Sequence, residues 1–199
     1  MVLSRQEKTN RPRKNKILFY ARPTSAQRNL FEIGLKALAN AIEAKVLSAE
    51  SWEIFFIGEK ISDYQVGSMI ITNLPWMDFP TYCKTLRQTD IALSLMLSPH
   101  PSYTPLEAAA CGCLAITNIY TGKSRQSLES ISPNILAAEP TVESVTAALF
   151  QAVKLSADTE ARERGSHLVL PKTWDDSFAA VIPSMYKSIQ AAAGFGDLR

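Results

Sequence analysis

The sequence predicts one α/β domain built on a doubly wound parallel sheet of about six strands, a three-layer arrangement with helices on both faces. Short apolar runs alternate with helical patterns after Lys16 without a break in composition, which is typical of parallel sheets crossed by helices. The 199 residues are 46% hydrophobic and 20% charged, as in a soluble chain that buries a substantial core.

The first apolar run, at 17–21, predicts a buried strand that ends at Arg22. A helix over about 29–46 follows, because apolar residues recur on one face at helical spacing. Its start is open between two capping pairs, Thr24 with Gln27 and Asn29 with Glu32.

The middle of the chain continues this alternation. A second strand over 52–57 ends at Gly58, and Asp78 is expected to cap a later helix that has Pro80 in its first turn. The other elements predicted here are strands over 69–72, 91–95, 114–117 and 135–138 and a short helix over 104–111.

Two helices close the predicted domain. An apolar stripe marks the first over 142–153. The last, over 174–189, opens with a capping box of Thr173 and Asp176 and is expected to kink at Pro183. We expect three regions: a disordered basic segment at 1–15, the domain at 16–190 and a frayed tail at 191–199.

The charge and hydropathy of the chain predict neither a nucleic acid partner nor a transmembrane segment. The formal net charge is +2, and much of the positive excess precedes Ile17, so no basic face remains for a phosphate backbone. No run approaches the roughly 18 apolar residues of a membrane span, and no signal-like apolar region follows the basic start. These patterns favour a cytoplasmic protein.

Three cysteines, an odd number, favour a reducing, cytoplasmic setting over a disulfide framework. Cys111 and Cys113 flank Gly112, with no second pair and no nearby histidine. This spacing predicts small buried side chains and no metal site.

The segment 98–112 carries the clearest chemical pattern. It follows a buried strand, and in doubly wound sheets ligands bind at the carboxyl ends of the strands. Thr104 is expected to cap the next helix, with Pro105 first and Glu107 third, so free N–H groups there would suit a phosphate. A capping box between Thr104 and Glu107 explains the same residues structurally, and a carboxylate has enough acceptor sites for both roles.

Several stretches together form a recognisable pattern: FYARP at 19–23, RNLFE at 28–32, WEIFFIG at 52–58, LPWM at 74–77, SLMLSPHPSYTPLE at 94–107, Gly112 and AITN at 115–118. In them the chain resembles the C-terminal domain of retaining GT-B glycosyltransferases, particularly bacterial rhamnosyltransferase-like enzymes. The resemblance covers about 16–189. It implies a Rossmann-like domain, the C-terminal half of a GT-B fold, that binds a nucleotide-sugar donor.

The resemblance also implies roles for individual residues. Arg22 and Arg28 would face the donor diphosphate, for which the guanidinium fork is suited. Glu107 would accept hydrogen bonds from the ribose hydroxyls. The remaining donor residues would be Ser98 and His100 in the loop, with Ser102, Tyr103 and Thr104 offering N–H groups to the distal phosphate. The base would stack against Leu74, Pro75 and Trp76.

Two departures from the family pattern narrow these expectations. Pro99 stands where many relatives have a carboxylate that contacts the sugar, and Arg28 is the only substitute for a lysine near the first arginine. No Asp-x-Asp motif occurs, and the family uses basic groups and a helix end in place of a metal cofactor. The donor is expected to be a nucleoside diphosphate sugar, with dTDP-rhamnose as one candidate.

The expected function is transfer of this sugar to a glycan acceptor. The acceptor domain of a GT-B enzyme precedes the donor domain and is missing here, so it is expected from a larger enzyme or a partner subunit, and the isolated chain is expected to be inactive. The alternative is a non-catalytic module that binds a nucleotide or docks a partner. Exposed Trp174, Phe178 or Met185 would favour a homodimer. A response-regulator-like domain fits poorly, because Arg22 and Pro23 stand where that class needs carboxylates.

Overall fold

The computed structural model describes residues 13–24, 27–100, 102–171 and 173–192. Its contacts divide the chain into two compact units, Met1–Leu168 and Val169–Arg199. The first unit holds the sheet. Most of the predicted basic segment and the end of the predicted tail lie outside the described residues.

The first unit is built on a seven-stranded sheet in the order β3-β4-β2-β1-β5-β6-β7. All neighbouring pairs are parallel except β3 and β4. The strands are β1 (Asn15–Ala21), β2 (Trp52–Gly58), β3 (Tyr64–Val66), β4 (Met69–Asn73), β5 (Ile91–Leu93), β6 (Leu114–Asn118) and β7 (Ile135–Ala138). This confirms the predicted doubly wound α/β class. The seventh strand, β3, escaped prediction because it has three residues and only one apolar side chain that is buried.

Six helices accompany the sheet in the described part of the first unit. They are α1 (Phe31–Glu43), α2 (Phe79–Arg87), α3 (Tyr103–Ala110), α4 (Arg125–Glu129), α5 (Val142–Leu155) and α6 (Thr159–Gly165). The chain runs from β1 outward to β4 on one side and then returns to β5 on the other side of β1. The strand order therefore reverses between β1 and β5, the place where doubly wound sheets form a ligand crevice.

Two apolar cores fix the sheet between its helices. The larger one contains the inward side chains of β1 and β2 with α1 and α5, and the other lies against α3. Phe19, Phe31 and Phe56 pack with ring centroids 5.6 to 5.7 Å apart. Gly34 of α1 lies so close to Phe19 that a side chain there would collide with the ring. This contact sets the distance between α1 and the sheet.

Both predicted capping pairs of α1 are wrong. The helix starts at Phe31, and its N-cap, Leu30, makes no side-chain hydrogen bond. Asn29 is instead buried. Its amide accepts from the backbone N–H of Arg22 and donates to the carbonyls of Tyr20 and Leu95. The polar side chain that resembled a cap joins the ends of β1 and β5.

The other helix ends divide between confirmed and corrected predictions. Asp78 caps α2 through the N–H of Thr81, as predicted. The helix α6 was missed because its sequence, TEARERG, is almost entirely polar. Its anchor is Arg162, whose side chain is buried.

The second unit contains α7 (Trp174–Phe178) and α8 (Val181–Ala192) instead of one long helix. The capping box of Thr173 and Asp176 is confirmed. The kink predicted at Pro183 is wrong, because the helix is interrupted between Phe178 and Val181. The proline lies in the first turn of α8. A proline is tolerated there, since the first N–H groups of a helix have no internal acceptor.

A buried ion pair closes the amino end of the sheet. Asp90, just before β5, accepts hydrogen bonds from Arg162 (3.0 Å), Arg13 (2.9 Å) and the N–H of Lys16 (2.9 Å). Burial would raise the pKa of this carboxyl, but the N–H of Lys16 and the two arginines hold it below its usual value. Asn15 already belongs to β1, and its N–H donates to the carbonyl of Ser51 at 2.9 Å, so the sheet begins within the segment predicted to be disordered.

Candidate functional site

An open pocket of about 1200 Å³ lies at the carboxyl ends of β1, β2 and β4. Four of the predicted site residues come together in its wall: Arg22, Leu74, Pro75 and Trp76. Arg22 follows β1 and the other three follow β4, and these two strands lie on either side of β2. The pocket therefore joins Arg22, expected at the diphosphate, with the residues expected at the base.

Charged and polar groups line one side of this pocket. Arg22 lies with Nη1 3.4 Å from the hydroxyl of Tyr20. Glu59, which follows β2, accepts hydrogen bonds from the N–H and the hydroxyl of Thr24. Asn73 donates to the carbonyl of Glu59 at 3.0 Å. These contacts tie together the loops that follow β1, β2 and β4.

Aromatic and apolar side chains line the other side. Trp76 is 84% exposed and Phe79 is 67% exposed, although both border the pocket. Large exposed aromatic faces bind well to the flat π surface of a nucleobase. Sequence reasoning placed Trp76 at such a position but did not identify Phe79, whose apolar character indicated only the core face of α2.

A hydrogen bond between helices connects the pocket to α3. The hydroxyl of Tyr82, a pocket residue on α2, donates to Oε2 of Glu107 on α3 at 3.0 Å. Burial, followed by the negative charge of Glu107, raises the pKa of Tyr82 far above its usual value. The hydroxyl therefore stays protonated and remains a donor, which leaves the other carboxylate oxygen of Glu107 for a further partner.

The start of α3 differs from the prediction. The helix begins at Tyr103, and its N-cap is Ser102, which makes no side-chain capping bond and has φ of 69°. Thr104 is therefore the second helical residue, and Glu107 is the fifth. The predicted capping box between them is wrong, because a carboxylate so far along the helix cannot reach the N-cap. Glu107 is bonded to Tyr82 instead.

The residue before α3, Ser102, has a positive φ. The N–H of Ser102 donates to Nδ1 of His100 at 3.1 Å. Neither Tyr103 nor Thr104 has an acceptor for its N–H within the helix, since the first N–H groups of any helix lack one. Such groups, together with the helix dipole, favour an anion.

Seven predicted donor residues lie outside the pocket wall: Arg28, Ser98, His100, Ser102, Tyr103, Thr104 and Glu107. Arg28 is exposed, and its carbonyl accepts from the N–H of Leu97 at 2.8 Å. Ser98 is buried, and among the described residues its hydroxyl has no hydrogen-bond partner. The structure thus shows two neighbouring regions, the pocket and the β5–α3 loop, that Tyr82 and Asn29 connect.

Two buried polar residues, Asn118 and Lys123, had no role predicted from the sequence. Asn118, at the end of β6, is fully buried and accepts from the N–H of Met96 at 2.6 Å. Lys123 is also buried and contacts the same loop. An asparagine that ends an apolar strand and a lysine in a Gly-Lys turn both resemble ordinary surface residues in sequence, so only the topology reveals them.

Metal and membrane features can be stated for the described residues. In residues 13–24, 27–100, 102–171 and 173–192, no three histidine, cysteine, aspartate or glutamate side chains come together as a metal site. The helices of that part are too short or too polar to cross a bilayer. In that part, Cys83 and Cys111 are free thiols and Cys113 is buried.

The sequence matches a known family over most of its sheet. Residues 15–150 match the family described as "WsaF, C-terminal domain". The O-antigen biosynthesis protein RfbC of Myxococcus xanthus is 34% identical over 157 residues. That match covers 76% of this chain and 12% of the relative, so the chain spans only a small part of that much longer protein.

Solved glycosyltransferase structures share the fold at low identity. The catalytic domain of cholesterol-α-glucosyltransferase from Helicobacter pylori has a TM-score of 0.55 at 10% identity, over 78% of this chain and 96% of its own. The C-terminal domain of the glycosyl transferase group 1 protein LpcC from Francisella tularensis has a TM-score of 0.54 at 14% identity, over 76% and 80%.

A third structure is similar over a smaller share of its own length. The UDP-forming trehalose-phosphate synthase from Burkholderia xenovorans has a TM-score of 0.58 at 12% identity, over 77% of this chain and 39% of its own. These likenesses support the fold, and the sequence match supports the family. The chain belongs to the WsaF C-terminal domain family and is a C-terminal, GT-B-type glycosyltransferase domain.

Proposed function

We propose that this domain holds the nucleoside diphosphate sugar of a glycosyltransferase that builds a bacterial surface polysaccharide such as O-antigen. The observation that carries the proposal is the shared wall of Arg22, Leu74, Pro75 and Trp76, with Tyr82 connecting it to Glu107. The pocket therefore presents a cation and a stacking surface, and Tyr82 links it to the carboxylate of Glu107 on α3. These are the groups that a diphosphate, a base and a ribose each require.

The proposed binding mode follows from these positions. The base stacks on Trp76, and the free oxygen of Glu107 accepts from the ribose hydroxyls. The diphosphate lies between Arg22 and the N-terminus of α3, with Arg28 nearby in the loop after β1. As the bond to the sugar breaks, negative charge grows on the leaving diphosphate, and fixed positive groups there lower the barrier.

The acceptor, in this proposal, binds to another domain or subunit. The relative from Myxococcus xanthus is far longer than this chain, which leaves ample sequence for such a domain in proteins of this kind. Rhamnose is the proposed sugar, with dTDP-rhamnose as donor. The isolated chain is then expected to bind the donor and to release no nucleotide by transfer.

Calorimetric titration of the chain with dTDP, UDP and GDP tests the proposal. Saturable binding of one of them, weakened at least about tenfold in Glu107→Ala, is the expected result, since hydrogen bonds to a charged group contribute about 1.5–3 kcal/mol. Glu160→Ala, on the exposed side of α6, is the matched control. No binding to any of the three at millimolar concentration would refute the donor site.

Binding measurements with the sugar attached to the nucleotide distinguish a donor domain from a module that binds only the nucleotide. If dTDP-rhamnose binds more tightly than dTDP, the loop beyond the diphosphate contacts the sugar, as a donor domain requires. Equal affinity for dTDP-rhamnose, dTDP-glucose and dTDP would favour the non-catalytic module.

A further inference from the structure

Lys123 stands out because it is a buried cation without a carboxylate. Its side chain is 3% exposed, and Nζ donates to the carbonyl of Met96 at 3.2 Å. No aspartate or glutamate in the described part of the chain forms an ion pair with it. Burial lowers the pKa of this lysine to about 8. Burying an ammonium with so little compensation is unfavourable, so an aliphatic residue would stabilise the fold more.

The backbone around Lys123 directs the side chain inward. Tyr120 and Lys123 exchange two backbone hydrogen bonds of 3.1 and 2.9 Å across a tight turn. Thr121, inside this turn, has φ of 47°, a left-handed conformation that non-glycine residues seldom adopt. Ser124 then caps α4 through the N–H of Ser127. Lys123 is therefore held between a strained turn and a capped helix.

The hydrogen-bond acceptor of Lys123 is the carbonyl of Met96, the residue at which the β5–α3 loop begins. The N–H of Met96 donates to Asn118, and its carbonyl accepts from both Lys123 and the N–H of Ser98. On the opposite side, Asn29 pairs with Met96 in an isolated bridge. Side chains from the end of β6 and from the turn that follows it thus hold both backbone groups of one loop residue.

We propose that Lys123 is a positioning residue for the diphosphate end of the donor site, acting through the carbonyl of Met96. It holds the start of the loop that carries Ser98 and His100 and ends at the N-terminus of α3. It does not touch the pocket that receives the base. This inference rests on the proposed function, because it assigns the loop to the diphosphate.

The decisive variant is Lys123→Met, which keeps the length and apolar stem and removes the ammonium. Global stability should rise, because a buried charge is lost. Affinity for dTDP should fall about tenfold, since one charged hydrogen bond no longer fixes the loop. Affinity for thymidine, which uses only the base pocket, should stay within about twofold. If Lys123 had a merely structural role, its replacement would lower the stability and both affinities together.

Three further measurements make the test independent of any one variant. Amide hydrogen exchange at Leu97 and Ser98 should speed up in Lys123→Met while exchange in β1 stays slow. Lys123→Arg retains a charged donor and should restore much of the dTDP affinity, including in the event that the methionine variant fails to fold. Lys36→Met, at an exposed site on α1, is the control for the same chemical change.

The outcomes separate this inference from the function on which it rests. If the unaltered chain binds dTDP and Lys123→Met binds it equally well, the positioning role is wrong and the donor site stands. If the unaltered chain binds no nucleotide, the proposed function itself is wrong. Faster exchange at Leu97 and Ser98 together with weaker dTDP binding would establish the role.

Discussion

Tyr82 and Glu107 lie 25 residues apart in sequence and meet across two helices in a hydrogen bond of 3.0 Å. The tyrosine belongs to the pocket wall, whereas the glutamate belongs to the helix that follows the β5–α3 loop. One hydroxyl therefore aligns the carboxylate proposed for the ribose with the surface proposed for the base.

Replacing Tyr82 with phenylalanine should weaken nucleotide binding about tenfold, because the oriented carboxylate of Glu107 loses its donor. Stability should change by less than about 1 kcal/mol, since the ring and its packing remain. Calorimetry and urea unfolding measure the two effects. Tyr64→Phe on the edge strand β3 is the control, and equal affinities in the two variants would contradict the proposed alignment.

Trp76 should report directly on the base. Stacking of a base on an aromatic side chain contributes about 1–3 kcal/mol, so Trp76→Ala should bind nucleotide roughly tenfold or more weakly without a loss of stability. Nucleotide should also quench the tryptophan fluorescence of the unaltered chain and not that of Trp76→Ala. Trp174→Ala, an exposed tryptophan of the second unit, should keep the quenching. Quenching that persists without Trp76 would place the base elsewhere.

Asp90 predicts a loss of stability in acid. Its pKa is lower in the folded chain than in the unfolded one, so between the two values the unfolded chain binds more protons. The stabilisation is therefore complete above about pH 5, since an unfolded aspartate titrates near 4, and it is lost as the pH falls below that. Urea unfolding from pH 6 to 3 should show a shallower decline in Asp90→Asn, which cannot titrate. Parallel pH profiles would contradict the assignment.

The lowered pKa of Lys123 predicts a gain of stability in alkali. Burial lowers its pKa from 10.5 to about 8, so between these values the folded chain has released a proton that the unfolded chain retains. The contribution of this group to stability therefore rises as the pH increases through that window. The stability difference between Lys123→Met and the unaltered chain should be largest below pH 8 and should shrink toward pH 10.5. A constant difference would mean that Lys123 is not buried as an ammonium.

The sheet was predictable because each buried strand appears as a short apolar run. Ile135–Ala138 has its predicted limits, and Asp78 caps α2 as expected, since a capping aspartate followed by proline has a local physical cause. The edge strand β3 was not predictable in this way, because most of its side chains are exposed and give no apolar run.

For the candidate site, the family resemblance led to the expectation that Arg22 and Trp76 serve one ligand. The structure places both residues in the wall of one pocket. The left-handed Ser102 could not be predicted, because a serine has no sequence feature that marks that conformation. Tyr82 and Lys123 were missed because their partners are distant in sequence, so their roles arise only from the topology.

The ion pair of Asp90 and Arg162 lies at the amino end of the sheet, whereas every proposed ligand contact lies beyond the carboxyl ends. The sheet thus has a stabilising ion pair at the amino ends of its strands and the proposed ligand contacts at their carboxyl ends. Substitutions that change the proposed specificity for a base or sugar would lie after the strand ends. They would therefore leave the ion pair of Asp90 and Arg162 unchanged. Domains of this fold can therefore differ in the proposed ligand site while they share one sheet.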